Sequence, residues 1–159
     1  MSRCLGFDLG KPLDEANGPP FQRPRPVAVA GSNAQILASD QFATIIPLLK
    51  TQKFGDCTRQ TLVSTMRVTF AALPDFKNVE ITDLGAVPVT VPAGAAGLLA
   101  FNVRLEVPEG EGTILIDVVY MAEGDVLSTL TLETVQASDD EALVIELLPR
   151  LASKLPVRS

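Results

Sequence analysis

Thr113-Ile114-Leu115-Ile116-Asp117-Val118-Val119-Tyr120-Met121 is the stretch that settles the architecture. Side chains alternate across a strand with period two, so Ile114, Ile116, Val118 and Tyr120 share one face while Leu115, Val119 and Met121 share the other. Only Asp117 interrupts this ribbon. A strand that is apolar on both faces must be covered above and below, which calls for helices packed on its sheet. The strand before it has another character: Phe101, Val103 and Leu105 alternate with Asn102, Arg104 and Glu106, giving one buried and one wet face. Pro108 to Gly112 reads as the hairpin loop joining the two. Glu123-Gly124-Asp125 reads as the turn into a third strand ending near Thr134. Connections this short make the neighbours antiparallel.

Away from this core the chain changes texture. Residues 8 to 26 carry Pro12, Pro19, Pro20, Pro24 and Pro26 with Gly10 and Gly18, which predicts an extended strap without regular structure. Val27 to Ala38 is strand-like. Ser39 or Asp40 then caps a helix with Phe42, Ile45, Ile46 and Leu49 on one side, kinked or shortened by Pro47. A second helix, from about Asp56 to Leu73, carries Leu62, Met66, Thr69, Phe70 and Leu73 on one stripe. Val79, Ile81 and Asp83 mark a short edge strand, and Gly85 to Gly97 a glycine-flexed loop or weak strand. Ser138-Asp139-Asp140-Glu141 forms a capping box for a helix over 139 to 155. The expected organisation is a strap over residues 1 to 26 and one α+β domain over 27 to 159. That domain is an antiparallel sheet of about five to six strands flanked by helices, an α/β/α-sandwich-like arrangement.

With 159 residues the chain is long enough for one domain burying roughly 70% of its unfolded surface. No run approaches the roughly 20 apolar residues of a membrane-spanning helix, so a soluble domain is expected. A net charge of -6 and the absence of any dense basic run speak against nucleic acid as a partner. Histidine is absent, which removes the commonest general base and the commonest zinc ligand. No metal and no cofactor are expected, and without a marked catalytic set neither is an enzyme.

Two cysteines remain, Cys4 and Cys57. A bridge between them would tie the N-terminal strap to the domain and imply an oxidising compartment. The alternatives are inert buried thiols, a reactive Cys57 near a helix N-terminus, or a weak metal pair. Met1-Ser2-Arg3-Cys4 contains no secretory leader, and Arg3 is the wrong residue before a lipidated cysteine. We therefore expect a mature domain separated from its targeting segment.

Three side chains are candidates for ligand binding: Asp117, isolated on its apolar strand, with Tyr120 and Arg104 as neighbours. The competing reading of Asp117 is a solvated or hydrogen-bonded acid at the sheet rim. Asp139, Asp140 and Glu141 lack the glycine-punctuated spacing of a calcium loop and read as helix capping. No GxGxxG, Walker lysine or GxSxG elbow is present.

The chain also bears a resemblance. A strand leads into Ser39-Asp40-Gln41-Phe42-Ala43, and Lys53-Phe54-Gly55-Asp56-Cys57 opens a helix. Thr113 to Tyr120 follows, then Gly124-Asp125 and a capped C-terminal helix. From about residue 27 to 155 this order resembles the secreted and lipoprotein-borne sensor-type domains of actinobacteria, similar to the extracellular domain of PknH-type receptor kinases. More distantly it resembles Mog1/PsbP-like lipoproteins. The resemblance implies an antiparallel sheet flanked by helices, an extracytoplasmic or cell-envelope location, and a binding role. An apolar small molecule, a lipid or an envelope protein is the expected partner. The alternative is a structural or protein-interaction domain of a cell-envelope protein.

Overall fold

The computed structural model describes residues 2–6, 8, 10–24, 27–72, 79–107 and 110–135. The expected helix over 139–155 and its capping box lie outside these residues. In chain order the elements are α1 (Ser2–Leu5), β1 (Asp14–Asn17), β2 (Phe21–Pro24), β3 (Val27–Ile36), α2 (Ser39–Leu48) and α3 (Gln52–Ala72). They continue with β4 (Glu80–Val87), β5 (Gly97–Val107), β6 (Gly110–Glu123) and β7 (Val126–Val135). The fold is α+β, an open antiparallel sheet with helices packed on it, as the alternation predicts.

The sheet runs β1-β3-β7-β6-β5-β4, with β2 also on β3. Its topology follows from loop length. Strands β4 to β7 form a meander, and two residues separate β6 from β7, with Glu123 opposite Val126. Strand β3 instead reaches β4 through α2 and α3, which carries the chain across to the far edge of the sheet. β7 returns beside β3 over nine registered pairs from Ala28–Thr134 to Ile36–Val126.

The proline-rich strap departs from expectation. It forms β1 and β2, both antiparallel to β3 and placed one after the other along its outer edge. Proline is tolerated in edge strands because only one side of such a strand needs its N–H groups. Pro19 and Pro20 fall between β1 and β2, and Pro24 ends β2. Outside the ladder, Leu13 N–H donates to Ile36 O at 2.7 Å and Gly18 N–H to Ser32 O at 2.8 Å. The strap is held further by the Cys4–Cys57 disulfide and by Lys53 Nζ, which donates to Leu5 O at 2.7 Å. Leu5 itself is buried in the core.

Helix α2 begins where the side chain of Gln41 accepts from Ala38 N–H at 3.0 Å, and it ends one residue past Pro47. Helix α3 starts a turn earlier than its apolar stripe predicts, because Thr51 Oγ1 accepts from Phe54 N–H at 3.2 Å and satisfies a free first-turn donor. The early start brings Phe54 into the core beside Cys57. Of the expected stripe, Leu62, Met66 and Phe70 pack against that core while Thr69 is exposed.

The central strand is buried on both sides. Ile116, Val118 and Tyr120 join Phe101, Val103, Phe54 and Ile45 on the helix-facing side. Val119 and Met121 join Ala28, Ala30, Leu130 and Leu132 on the other. Asn102, Arg104 and Glu106 stay partly exposed, as the alternation in β5 predicts.

Candidate functional site

Helix α3 packs on β4 and β5, and it is fastened there by polar contacts at the sheet edge. The guanidinium of Arg59 pairs with Asp83 on β4 and reaches Asp56 at 3.3 Å, while Arg67 Nη2 donates to Ile81 O at 2.9 Å. Burial pushes the Asp83 carboxyl up. The hydrogen bonds from Arg59 and Gly85 N–H, with the charges of Arg59 and Arg67, outweigh it and hold the carboxyl below its ordinary value. Between Asp83 and Gly85 the β4–β5 register slips by a bulge, and Gly85 sits at φ +95°, where a Cβ is disfavoured.

The first turn of α3 sets Phe54 over β6. Its ring meets Tyr120 edge to face, with centroids 5.7 Å apart and planes at 75°. This buried pair is the common wall of two cavities. The larger is a groove of about 630 Å³ between the α2–α3 junction and the β4–β5 loop. Leu49, Phe54, Leu99, Val89 and Val91 make it apolar, and Lys50, Gln52 and Asp56 bring polar groups to it. Gly97 lines it where strand and helix end meet closely: a Cβ there would stand 3.1 Å from both Leu49 Cβ and Leu49 O, tighter than most side chains tolerate.

The smaller cavity, a cleft of about 310 Å³, lies over β3 and β7. Thr58, Val118, Tyr120 and Leu127 are buried and form its inner part, while Gln35, Thr129 and Thr131 are partly exposed at its sides. Gly10 and Pro12 of the strap also line it, and none of the described residues lining it is charged. Thr58 is 4% exposed, and its Oγ1 completes no hydrogen bond. Burial raises the Tyr120 phenol above its ordinary value, and the neighbouring Thr58 hydroxyl offsets part of that rise. Further along β7 on the same face, burial also raises Glu133.

The three residues singled out from sequence do not form one cluster. Tyr120 faces the helices and lines both cavities. Asp117 is three residues away on the same strand, an odd spacing, so it points to the opposite face with Val119 and Met121. It is buried at 5% exposure in mid-strand and is not a free carboxylate, in contrast to a solvated acid at the rim. Arg104 shares the Asp117 face but stands opposite Thr113, whereas Asp117 stands opposite Ala100. The reading of Asp117, Tyr120 and Arg104 as one ligand site is therefore corrected: Tyr120 alone reaches a cavity on the helix-facing side.

Sequence reasoning passed over Phe54, Thr58, Thr129 and Thr131. A signal for the threonines existed, since Thr129 and Thr131 alternate with Leu130 and Leu132 and mark a polar stripe on β7. Phe54 precedes the expected start of the helix near Asp56, whereas Thr58 lies inside it, one turn before Leu62, and as a polar residue falls outside the apolar stripe. Among the described residues no group of three or more Cys, Asp or Glu is placed to hold a metal, and no helix is long and apolar enough to cross a membrane. The chain matches no protein-family model, and no curated protein matches it.

Proposed function

We propose that this chain is an extracytoplasmic, non-catalytic binding module of the sensor type, whose larger groove takes the apolar part of a small amphiphile. The observation that carries this reading is the groove itself. Its volume of about 630 Å³ lies within the range of small-molecule sites, and its walls are apolar with a few polar groups to orient a head. Each CH2 group moved from water into such a groove contributes about 0.8 kcal/mol. The disulfide supports an oxidising compartment.

Native mass spectrometry of the oxidised chain, followed by titration with alkyl amphiphiles of increasing chain length, tests the reading. Affinity should rise with chain length until the groove is full. Ala86 lines the groove and is exposed, so Ala86→Trp should block binding while leaving the fold intact. Affinity that ignores both chain length and Ala86→Trp would sink the proposal.

A second reading, an interaction domain of an envelope protein, is favoured by one observation. Leu84, Val89 and Val91 are 44%, 42% and 46% exposed along β4 and the loop after it, at the outer edge of the described sheet. That reading predicts a partner or second copy protecting these three residues from solvent, measurable by hydrogen exchange across a concentration series.

A further inference from the structure

We infer that the cleft over β3 and β7 is a second binding site, for a small uncharged molecule with an apolar body and a carbonyl or hydroxyl oxygen that accepts a hydrogen bond from Tyr120. It is separate from the groove proposed above, since among the described residues the two cavities share only Phe54 and Tyr120 in their linings.

Charge is the first argument. No described residue lining the cleft carries any, so a carboxylate, ammonium or phosphate entering it would lose hydration without gaining a partner among them. Size is the second. A cavity of about 310 Å³ stands at the lower end of small-molecule sites, which limits the occupant to a compact molecule. The third is the pair of hydroxyls at its inner end. Thr58 Oγ1 is buried and completes no hydrogen bond, although the Tyr120 hydroxyl interacts with it. A hydroxyl both donates and accepts, so Thr58 can donate to Tyr120 only if the phenol proton turns elsewhere. An acceptor lodged in the cleft takes that proton and completes the chain of two hydrogen bonds, each strengthening the other. Val118, Leu127 and Leu62 provide the apolar contact, and Gln35, Thr129 and Thr131 offer further polar groups at the more exposed side.

The probes are acetophenone, ethylbenzene, which lacks the acceptor oxygen, and benzoate, which is charged. Each is titrated into the intact oxidised chain by methyl NMR. Resonances of Val118, Leu127 and Leu62 report the cleft, and those of Leu99, Val89 and Val91 report the groove. Acetophenone should shift the cleft methyls saturably and bind roughly 3- to 10-fold tighter than ethylbenzene, the worth of one net hydrogen bond. Benzoate should leave them unmoved. Tyr120→Phe should remove that advantage and Thr58→Val should reduce it, neither changing ethylbenzene affinity. Thr58→Val should also keep the fold, because it exchanges an unpartnered hydroxyl for a methyl of similar shape.

The inference is overturned by any of four results: no saturable shift at the cleft methyls, shifts confined to the groove methyls, equal affinity for acetophenone and ethylbenzene, or a Tyr120→Phe variant that binds acetophenone as the parent does. Ala86→Trp keeps the two proposals apart. It should abolish amphiphile binding in the groove and leave the acetophenone response of the cleft unchanged.

Discussion

Asp83 and Glu133 are carboxylates that the fold pushes in opposite directions, and each makes stability depend on pH in its own way. The Asp83 carboxyl is held below its unfolded value of 3.8. Its contribution is therefore fully present above that value and is lost as pH falls through the folded pKa. Asp83→Asn should cost about 1–2 kcal/mol at neutral pH, the scale of hydrogen bonds to a charged group, and the difference from the parent should vanish in acid. The Glu133 carboxyl is raised above 4.5 by burial alone. Its neutral form favours folding below the unfolded value, and that benefit is lost as pH rises through the folded pKa. Glu133→Gln should consequently be more stable than the parent at neutral pH and equal to it in acid. Urea denaturation of the three proteins across this pH range checks both signs. Gly97 tests geometry instead of charge. Gly97→Ala should destabilise by about 1–3 kcal/mol, since the new Cβ meets the backbone of Leu49, which cannot turn aside as a flexible side chain would.

The strap shows how elements support one another. The Cys4–Cys57 bridge spans 53 residues of sequence, enclosing β1, β2, β3 and α2. Closing a loop of that length in the unfolded chain is worth about 4 kcal/mol in the chain-entropy account, an upper figure. The double Cys4→Ser, Cys57→Ser variant should lose about 2–4 kcal/mol in denaturant unfolding. Proteolysis should then cut it first between residues 10 and 24, where short edge strands and a few further hydrogen bonds hold the chain. A β3 edge stripped of β1 and β2 would also present unpaired backbone groups to other molecules, so removing residues 1–24 should promote association in sedimentation. At this scale the proline content was a poor guide. It reports the conformations open to an isolated segment, whereas an edge position on β3 makes few demands that proline cannot meet.

Across the whole molecule, burial is deepest where β5, β6 and β7 lie side by side. Phe101, Val119 and Leu132 are at 0% exposure there. Backbone hydrogen exchange should accordingly be slowest in β6 and β7 and markedly faster in β1 and β4 at the sheet edges, as opening free energies follow local packing. A protection pattern with β4 as slow as β6 would mean that the outer edge is covered in solution.

Strand identity, the hairpin at Glu123 to Val126 and the double burial around Ile116 are all local matters of period-two alternation and short turns, and the amino-acid order sufficed for them. So did the pairing of Cys4 with Cys57, once a bridge forms at all, because the chain holds no third cysteine. The odd spacing of Asp117 and Tyr120 likewise carried their separation onto opposite faces. The cavities are another matter. Thr58 meets Tyr120 across 62 positions of sequence only because α3 begins at Gln52 and packs back onto the sheet at β4 and β5. That placement results from many long-range contacts acting together, and no window of neighbouring residues encodes it.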